Sequence, residues 1–233
     1  MCHARSAIAV VSATVWLTGC ASAPPTPTGP LDGLEAAWFY VPGPYTTTQR
    51  VDESRRTASV GPERAGVWTV RVGEPATTIV VERLEDGRPA TARIADARRD
   101  ETVVFEPPLA LVPTPGAEPP AAETTSISLY AGLSPERDLT GLSPTRTGTA
   151  ERRFLGVEAT TWTFDDRELP AQRLTHELVL KLSPATIRQT YKSIAVEELG
   201  IVEETLQERV IVFGVRISGR SEHVEVVQFD DER

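Results

Sequence analysis

Short runs of β-branched and aromatic residues, separated by turn signals, constrain the fold of this 233-residue chain more than any other feature. The run 66–72 (GVWTVRV) alternates, with Trp68 and Val70 on the same face. The run 77–84 (TTIVVERL) leads into Asp86-Gly87, a dipeptide typical of hairpin turns. Because almost no segment has the apolar spacing of an amphipathic helix, the pattern predicts an all-β protein with few or no helices.

The same pattern continues to the C-terminus. Further predicted strands lie at 37–41, 89–97, 101–105, 126–130, 154–164, 173–182, 201–202, 209–217 and 223–229. The run 185–191 follows Ser183-Pro184, which could start a helix, but its β-branched content favours a strand. Runs of this length joined by short turns indicate a curved antiparallel meander, forming a half-barrel or a partly closed barrel.

Two irregular stretches interrupt the strand pattern. Residues 106–125 contain six prolines, which exclude a central strand or a helix interior. Residues 131–149 contain Gly-Leu-Ser-Pro twice, which we interpret as two similar turns that flank a loop. The sequence therefore predicts a single β-rich domain over 34–233 with long loops at 106–125 and 131–149.

The N-terminus has the parts of an export signal. Arg5 supplies the positive charge, and residues 7–17 (AIAVVSATVWL) form an apolar stretch shorter than the roughly 20 residues of a spanning helix. Leu17-Thr18-Gly19-Cys20 follows and resembles the lipobox of bacterial lipoproteins. The resemblance implies a signal peptide over 1–19 and diacylglycerol on the thiol of Cys20. An ordinary signal cut near Ala21-Ser22-Ala23 is the alternative.

A lipidated Cys20 would make the membrane a partner of this chain through its acyl chains. Residues 20–33 are rich in proline and predict an extended tether. In bacteria with two membranes and lipoprotein sorting, Ala21 rather than aspartate implies the periplasmic face of the outer membrane. Cys2 lies in the signal, so we expect no disulfide within the mature chain.

The charge balance limits the partners further. The chain has 24 basic and 33 acidic residues, a net charge of −9, and the acids are dispersed. Nucleic-acid binding requires a concentrated basic surface, so we expect no nucleic-acid partner.

The C-terminal third also resembles β-rich periplasmic proteins and lipoproteins with a curved antiparallel sheet. The resemblance rests on the hairpin over 156–182, its acidic turn, and the segment 193–203, which includes Glu198-Leu199-Gly200-Ile201-Val202. More distant relatives are the half-barrel carriers that move lipoproteins between membranes. The resemblance implies a sheet wrapped around an interior, and it supplies no site residues, because the helices over the carriers' mouth have no counterpart here.

No catalytic constellation stands out in the sequence. Nucleophile and phosphate-loop motifs are absent, and His176 and His223 alone are too few for a metal site. Adjacent acids occur at Asp165-Asp166, Glu197-Glu198, Glu203-Glu204 and Asp230-Asp231. A glycosidase needs two carboxylates across a cleft, and calcium could bind Asp165-Asp166 with Glu168. Solvated turns and strand faces explain these residues more simply, so we expect no catalytic residue, cofactor or metal.

The aromatic residues Trp38, Tyr40, Trp68 and Trp162 are candidates to face a ligand, although a core role is the favoured explanation. We therefore expect an envelope lipoprotein that binds a hydrophobic ligand or an envelope partner, without enzymatic activity. The alternatives are an envelope hydrolase that uses a carboxylate pair and a structural subunit of an envelope complex.

Overall fold

The computed structural model describes residues 43–132, 139 and 141–231. These residues form twelve strands and no helix. The strands are β1 (Tyr45–Val51), β2 (Ser54–Val60), β3 (Val67–Val72), β4 (Thr77–Arg83), β5 (Pro89–Asp96), β6 (Glu101–Ala110), β7 (Ala121–Ala131), β8 (Arg146–Phe164), β9 (Arg167–Leu182), β10 (Ala185–Val196), β11 (Gly200–Val212) and β12 (Val215–Asp231).

Each strand pairs antiparallel with the next one in the sequence, and β12 pairs with β1 to close a barrel. The predicted all-β antiparallel meander is therefore confirmed, and the sheet closes completely. The run 185–191 belongs to strand β10, as its β-branched content indicated. The predicted strand at 37–41 lies outside the described residues, as do the signal peptide, Cys20 and the tether at 20–33.

The strands have very unequal lengths, which gives the barrel two different ends. Strands β1 to β5 have six to eight residues, whereas β8 to β12 have 12 to 19. The β8–β9 hairpin extends past its neighbours at the end where β1 begins, which we call the packed end. The β11–β12 hairpin extends past β1 at the opposite end, which we call the rim end, because the β1–β12 ladder stops at Val51 and Val224.

Aromatic contacts cross the interior at the packed end. Phe164 on β8 lies 5.8 Å from Phe229 on β12, measured between ring centroids, and Trp162 stacks on Phe164 at 5.2 Å. Because β8 and β12 are separated by three strands in the sheet, this contact spans the barrel rather than one ladder. Trp162 also packs in a buried cluster with Ile194 and Val202. The β8–β9 hairpin thus covers this end.

The proline-rich loops are shorter than the sequence predicted. Strand β6 continues through Pro107 and Pro108, β7 begins within the predicted loop, and β8 begins before its predicted start. The prediction that residues 106–125 contain no central strand was therefore wrong at both ends of this segment, which belong to β6 and β7. The two prolines fit because the β5–β6 ladder is interrupted between its pairs at Val104 and Leu109, so no ladder hydrogen bond requires their missing N–H groups.

Candidate functional site

The barrel encloses a cavity of about 520 Å³, which we call the lumen. Alternation along each strand directs every second side chain into it. On β3, for example, Trp68 and Val70 line the lumen, in agreement with the alternation in the sequence. The apolar part of the lining consists of Ala58, Val60, Trp68, Val70, Val72, Ile79, Val81, Ile94, Val103, Phe105, Leu111, Leu178, Leu180, Ile187, Leu199, Ile201, Val202, Val224 and Val226.

Trp68 anchors the apolar lining near the packed end. Its side chain is only 2% exposed and packs with Val81 and Leu111. The guanidinium carbon of Arg83 lies 5.3 Å from the ring centroid of Trp68, a cation–π contact at the barrel surface. Trp68 is therefore both a core residue and part of the lumen wall.

Polar side chains also face the lumen from β2 and from β8 to β11, and we call this set the polar belt: Arg56, Arg152, His176, Tyr191 and Glu204. The rings of His176 and Tyr191 stack, with centroids 4.7 Å apart and an interplanar angle of 14°. Adjacent strands hold these groups in register, because Tyr191 on β10 pairs with His176 on β9.

Hydrogen bonds fix several members of the polar belt. The Ser193 hydroxyl donates to Oε2 of Glu204 at 2.9 Å, and Arg152 donates to the carbonyl oxygen of Ala110 at 2.7 Å. Arg56 donates to Gln49 at 2.8 Å and forms an ion pair with Glu222 at 2.9 Å. Nδ1 of His176, which is buried, has no hydrogen-bond partner among the described residues.

Burial shifts the protonation of two belt residues toward their neutral forms. Desolvation, assisted by the positive charge of Arg152, holds the pKa of His176 well below its ordinary value. Desolvation raises the pKa of Glu204 and outweighs the opposing hydrogen bond from Ser193 and charges of Arg56 and Arg152. The neutral imidazole of His176 has one ring nitrogen that can accept a hydrogen bond and one that can donate.

The rim end of the lumen is charged and accessible. Its lining includes Asp96, Arg99, Glu101, Glu208 and Arg220. Arg99 and Arg220 are exposed, whereas the lining near Trp68 at the other end is buried. Arg220 pairs with Glu208 at 3.3 Å. The gradient in exposure places the mouth of the lumen at the rim end.

The structure assigns different positions to the aromatic residues that the sequence had put forward as ligand-facing candidates. Trp68 lines the lumen, whereas Trp162 packs in the cluster at the packed end and is not part of the lumen lining. Trp38 and Tyr40, like Cys20, lie outside the described residues. The sequence missed Arg152, and it named Glu204 only within the pair Glu203-Glu204, which we interpreted as solvated, whereas Glu204 lines the lumen. Alternation with Ala150 and Phe154 would have placed Arg152 inside, but the predicted strand began too late to include it.

The acidic pairs do not assemble a catalytic or metal site among the described residues. Glu197 and Glu198 lie exposed in the β10–β11 turn, and Asp165 and Asp166 lie exposed in the β8–β9 turn. Within the described ranges, no group of three histidine, cysteine or acidic residues could hold a metal ion. Fully buried His176 lies in the lumen wall, and exposed His223 contacts Thr205 instead.

Comparisons with known proteins add little to this geometry. No protein-family model and no curated protein matches the sequence. The crystal structure of the hypothetical lipoprotein YmcC from Escherichia coli K12 is similar in part, with 10% identity and a TM-score of 0.39. The alignment covers 79% of this chain and 84% of that chain. A likeness this distant carries no argument about function. In the described part of the chain, no helix is long and apolar enough to span a bilayer.

Proposed function

We propose that this chain is a lipid-anchored envelope lipoprotein whose barrel binds a small amphipathic molecule in its lumen. The observation that carries the proposal is the 520 Å³ cavity, which has a mainly apolar wall on β3 to β6, while β2 and β8 to β11 add the polar belt among further apolar side chains. Its volume lies within the range of roughly 300 to 1,000 Å³ that is typical of small-molecule sites.

The apolar wall would supply most of the affinity. Each square ångström of apolar surface removed from water contributes about 25 cal/mol. Trp68, Ile79 and Phe105 lie on strands of this wall and face the lumen. An acyl chain or another elongated apolar group is suited to such a surface.

The polar belt would position the head group of the ligand. A buried polar atom without a hydrogen bond costs about 1–3 kcal/mol, and Nδ1 of His176 is such an atom among the described residues. A ligand hydroxyl or carbonyl placed beside His176 would complete this hydrogen bond. Arg152, which faces the same lumen, would favour a head group with an electron-rich oxygen.

Native mass spectrometry of the protein extracted from its own membrane tests this proposal. We expect a bound species of lipid-like mass, and Ile79→Trp, which places a larger side chain in the lumen, should reduce the bound fraction. Val80→Trp is the matched control, because Val80 follows Ile79 on β4 and is not among the lumen-lining residues. Protein with an empty lumen, or equal binding by both variants, would contradict the proposal.

The lipid anchor rests on the sequence Leu17-Thr18-Gly19-Cys20 and is tested separately. Cys20→Ala removes the acceptor thiol, so it should release the protein from acyl-mediated attachment. Metabolic labelling with a palmitate analogue should mark the natural chain and leave the variant unlabelled. Equal labelling of the two chains would disprove lipidation at Cys20 without affecting the ligand proposal.

A further inference from the structure

The β11–β12 hairpin exposes an apolar surface that the proposed ligand site does not use. Phe213 is 83% exposed, Val215 65% and Ile217 62%, and these are the three most exposed large hydrophobic residues in the described part of the chain. All three lie within five positions of one hairpin. We call residues 209–217 the apolar hairpin. Single exposed apolar residues are common, but a contiguous exposed group marks an interaction surface.

The backbone presents this group at the extremity of the barrel. Phe213 and Gly214 both have left-handed conformations, with φ values of 49° and 81°, and they form the tip between the two strands. Such two-residue turns favour Asn-Gly or Asp-Gly, and a bulky residue at positive φ is uncommon. The conformational preference of the turn therefore does not explain why a phenylalanine occupies position 213.

The charge of the apolar hairpin differs from that of the whole chain. Arg209 and Arg216 flank the tip, and no acidic residue occurs between 209 and 217, although the chain has a net charge of −9. Arg209 also pairs with Arg188 on β10, which adds positive charge to the same region. An apolar tip bordered by arginines is complementary to an anionic lipid surface, where apolar groups enter the interface and cations contact phosphates.

The exposed edge of β12 is poorly suited to pairing with another strand. On the N-terminal side of Val224, β12 forms a ladder only with β11. The register shifts opposite Val210 and Ile211, so that Ile217 forms a bulge, and Gly219 follows two residues later. Bulges and charged residues on an edge prevent strand addition, which argues against docking by sheet extension.

We propose that the apolar hairpin inserts into the interface of an anionic bilayer and turns the rim end of the barrel toward it. The orientation has a consequence for the proposed ligand, because the lumen mouth would then face the lipid. That consequence rests on the proposed function, whereas insertion of the hairpin does not.

Fluorescence of a label on the hairpin tests insertion in the full chain. A Val215→Cys variant, with Cys2 and Cys20 changed to serine, carries an environment-sensitive dye on its single thiol. Vesicles of phosphatidylcholine with phosphatidylglycerol should shift the emission to the blue and protect the dye from aqueous iodide. The matched control is Glu85→Cys in the same background, since Glu85 is exposed in the β4–β5 turn at the packed end. Its dye should remain accessible to iodide.

Two further variants separate the apolar and electrostatic contributions. Ile217→Ser with Phe213→Ser should abolish the shift, because it removes the apolar group. Arg209→Gln with Arg216→Gln should weaken binding to the anionic vesicles by about thirtyfold and leave binding to phosphatidylcholine unchanged. An iodide-accessible dye at position 215 in the presence of vesicles would overturn the proposal. Shielding of that dye before vesicles are added would also overturn it, since it would assign the surface to a protein partner.

Discussion

The two ends of the barrel differ in how they treat apolar side chains. At the packed end, the β8–β9 hairpin brings Trp162 and Phe164 across the interior, where partly buried Phe164 and Phe229 pack against a buried cluster. At the rim end, the lumen wall is half-buried and charged, and Phe213 projects into solvent. The packed end therefore contributes more to stability through its buried side chains, whereas the rim end is less well packed and leaves the lumen accessible to solvent. Binding sites are commonly placed in this way on a rigid scaffold.

The most direct test of this difference compares two leucines on the same strand. Leu174 is fully buried in a cluster with Phe154, whereas Leu180 lines the lumen. Leu174→Ala should lower the free energy of unfolding by about 3 kcal/mol, because it leaves a closed cavity. Leu180→Ala should cost about 1 kcal/mol, since the lumen already borders it. Urea denaturation measures both, and equal costs would break the comparison.

The ion pairs at the two ends should also differ in strength. Arg88 contacts Asp86 and Glu123, both at 2.6 Å, and donates to the carbonyl oxygen of Val112 at 3.1 Å, with its side chain almost fully buried. Arg88→Ala should cost about 2 kcal/mol, because it leaves a buried carbonyl without its donor. At the rim end, Arg220 is exposed, so Arg220→Ala should cost below about 1 kcal/mol. Thermal denaturation compares them, and a larger loss for Arg220 would reverse the assignment.

The buried imidazole of the polar belt should make the protein sensitive to acid. The pKa of His176 is lowered well below 6.5 in the folded state, so the unfolded chain takes up a proton first as the pH falls. Stability is therefore lost as the pH falls below about 6.5. His176→Phe keeps a ring to stack on Tyr191 and removes the proton uptake. We expect its melting temperature to fall less between neutral and mildly acidic pH, and an unchanged fall would exclude His176 as the cause.

The carboxyl group of Glu204 should have the opposite dependence. Its pKa is raised above 4.5 in the folded state, so the unfolded chain ionises first as the pH rises. The folded state loses stability from about pH 4.5 upward until the folded carboxyl also ionises. Glu204→Gln preserves an acceptor for Ser193 and removes this loss, so the variant's stability relative to the natural protein should increase as the pH is raised. A parallel pH profile in both proteins would show that Glu204 is not desolvated.

The sequence could predict the fold class because the apolar strands alternate visibly, as in 66–72 and 173–182. It could not predict β1 and β2. Their lumen-facing residues include Thr47, Gln49 and Arg56, so polar groups occur on both faces and no apolar alternation appears. The sequence could not predict closure of the barrel either, because closure depends on pairing between β1 and β12, which are far apart in the chain.

The candidate site was predictable only in its apolar part. Trp68 was identified because large aromatic residues either form cores or line pockets. Arg152 was not identified and Glu204 was interpreted as solvated, since a charged residue in a strand ordinarily faces solvent, whereas both line the lumen of the closed sheet. The structure thus adds the polar belt of the lumen, which the local sequence patterns do not predict.

Pairing of β1 with β12 has a consequence for the timing of folding. Tyr45 lies opposite Asp231, so the first strand of the described residues stays without one of its two neighbours until residues near 231 have been made. Contacts between such distant residues form slowly, because a long loop must be closed first. The barrel therefore cannot be completed on a growing chain. If the proposed export signal is used, this topology is compatible with a chain that stays unfolded until it has crossed the membrane.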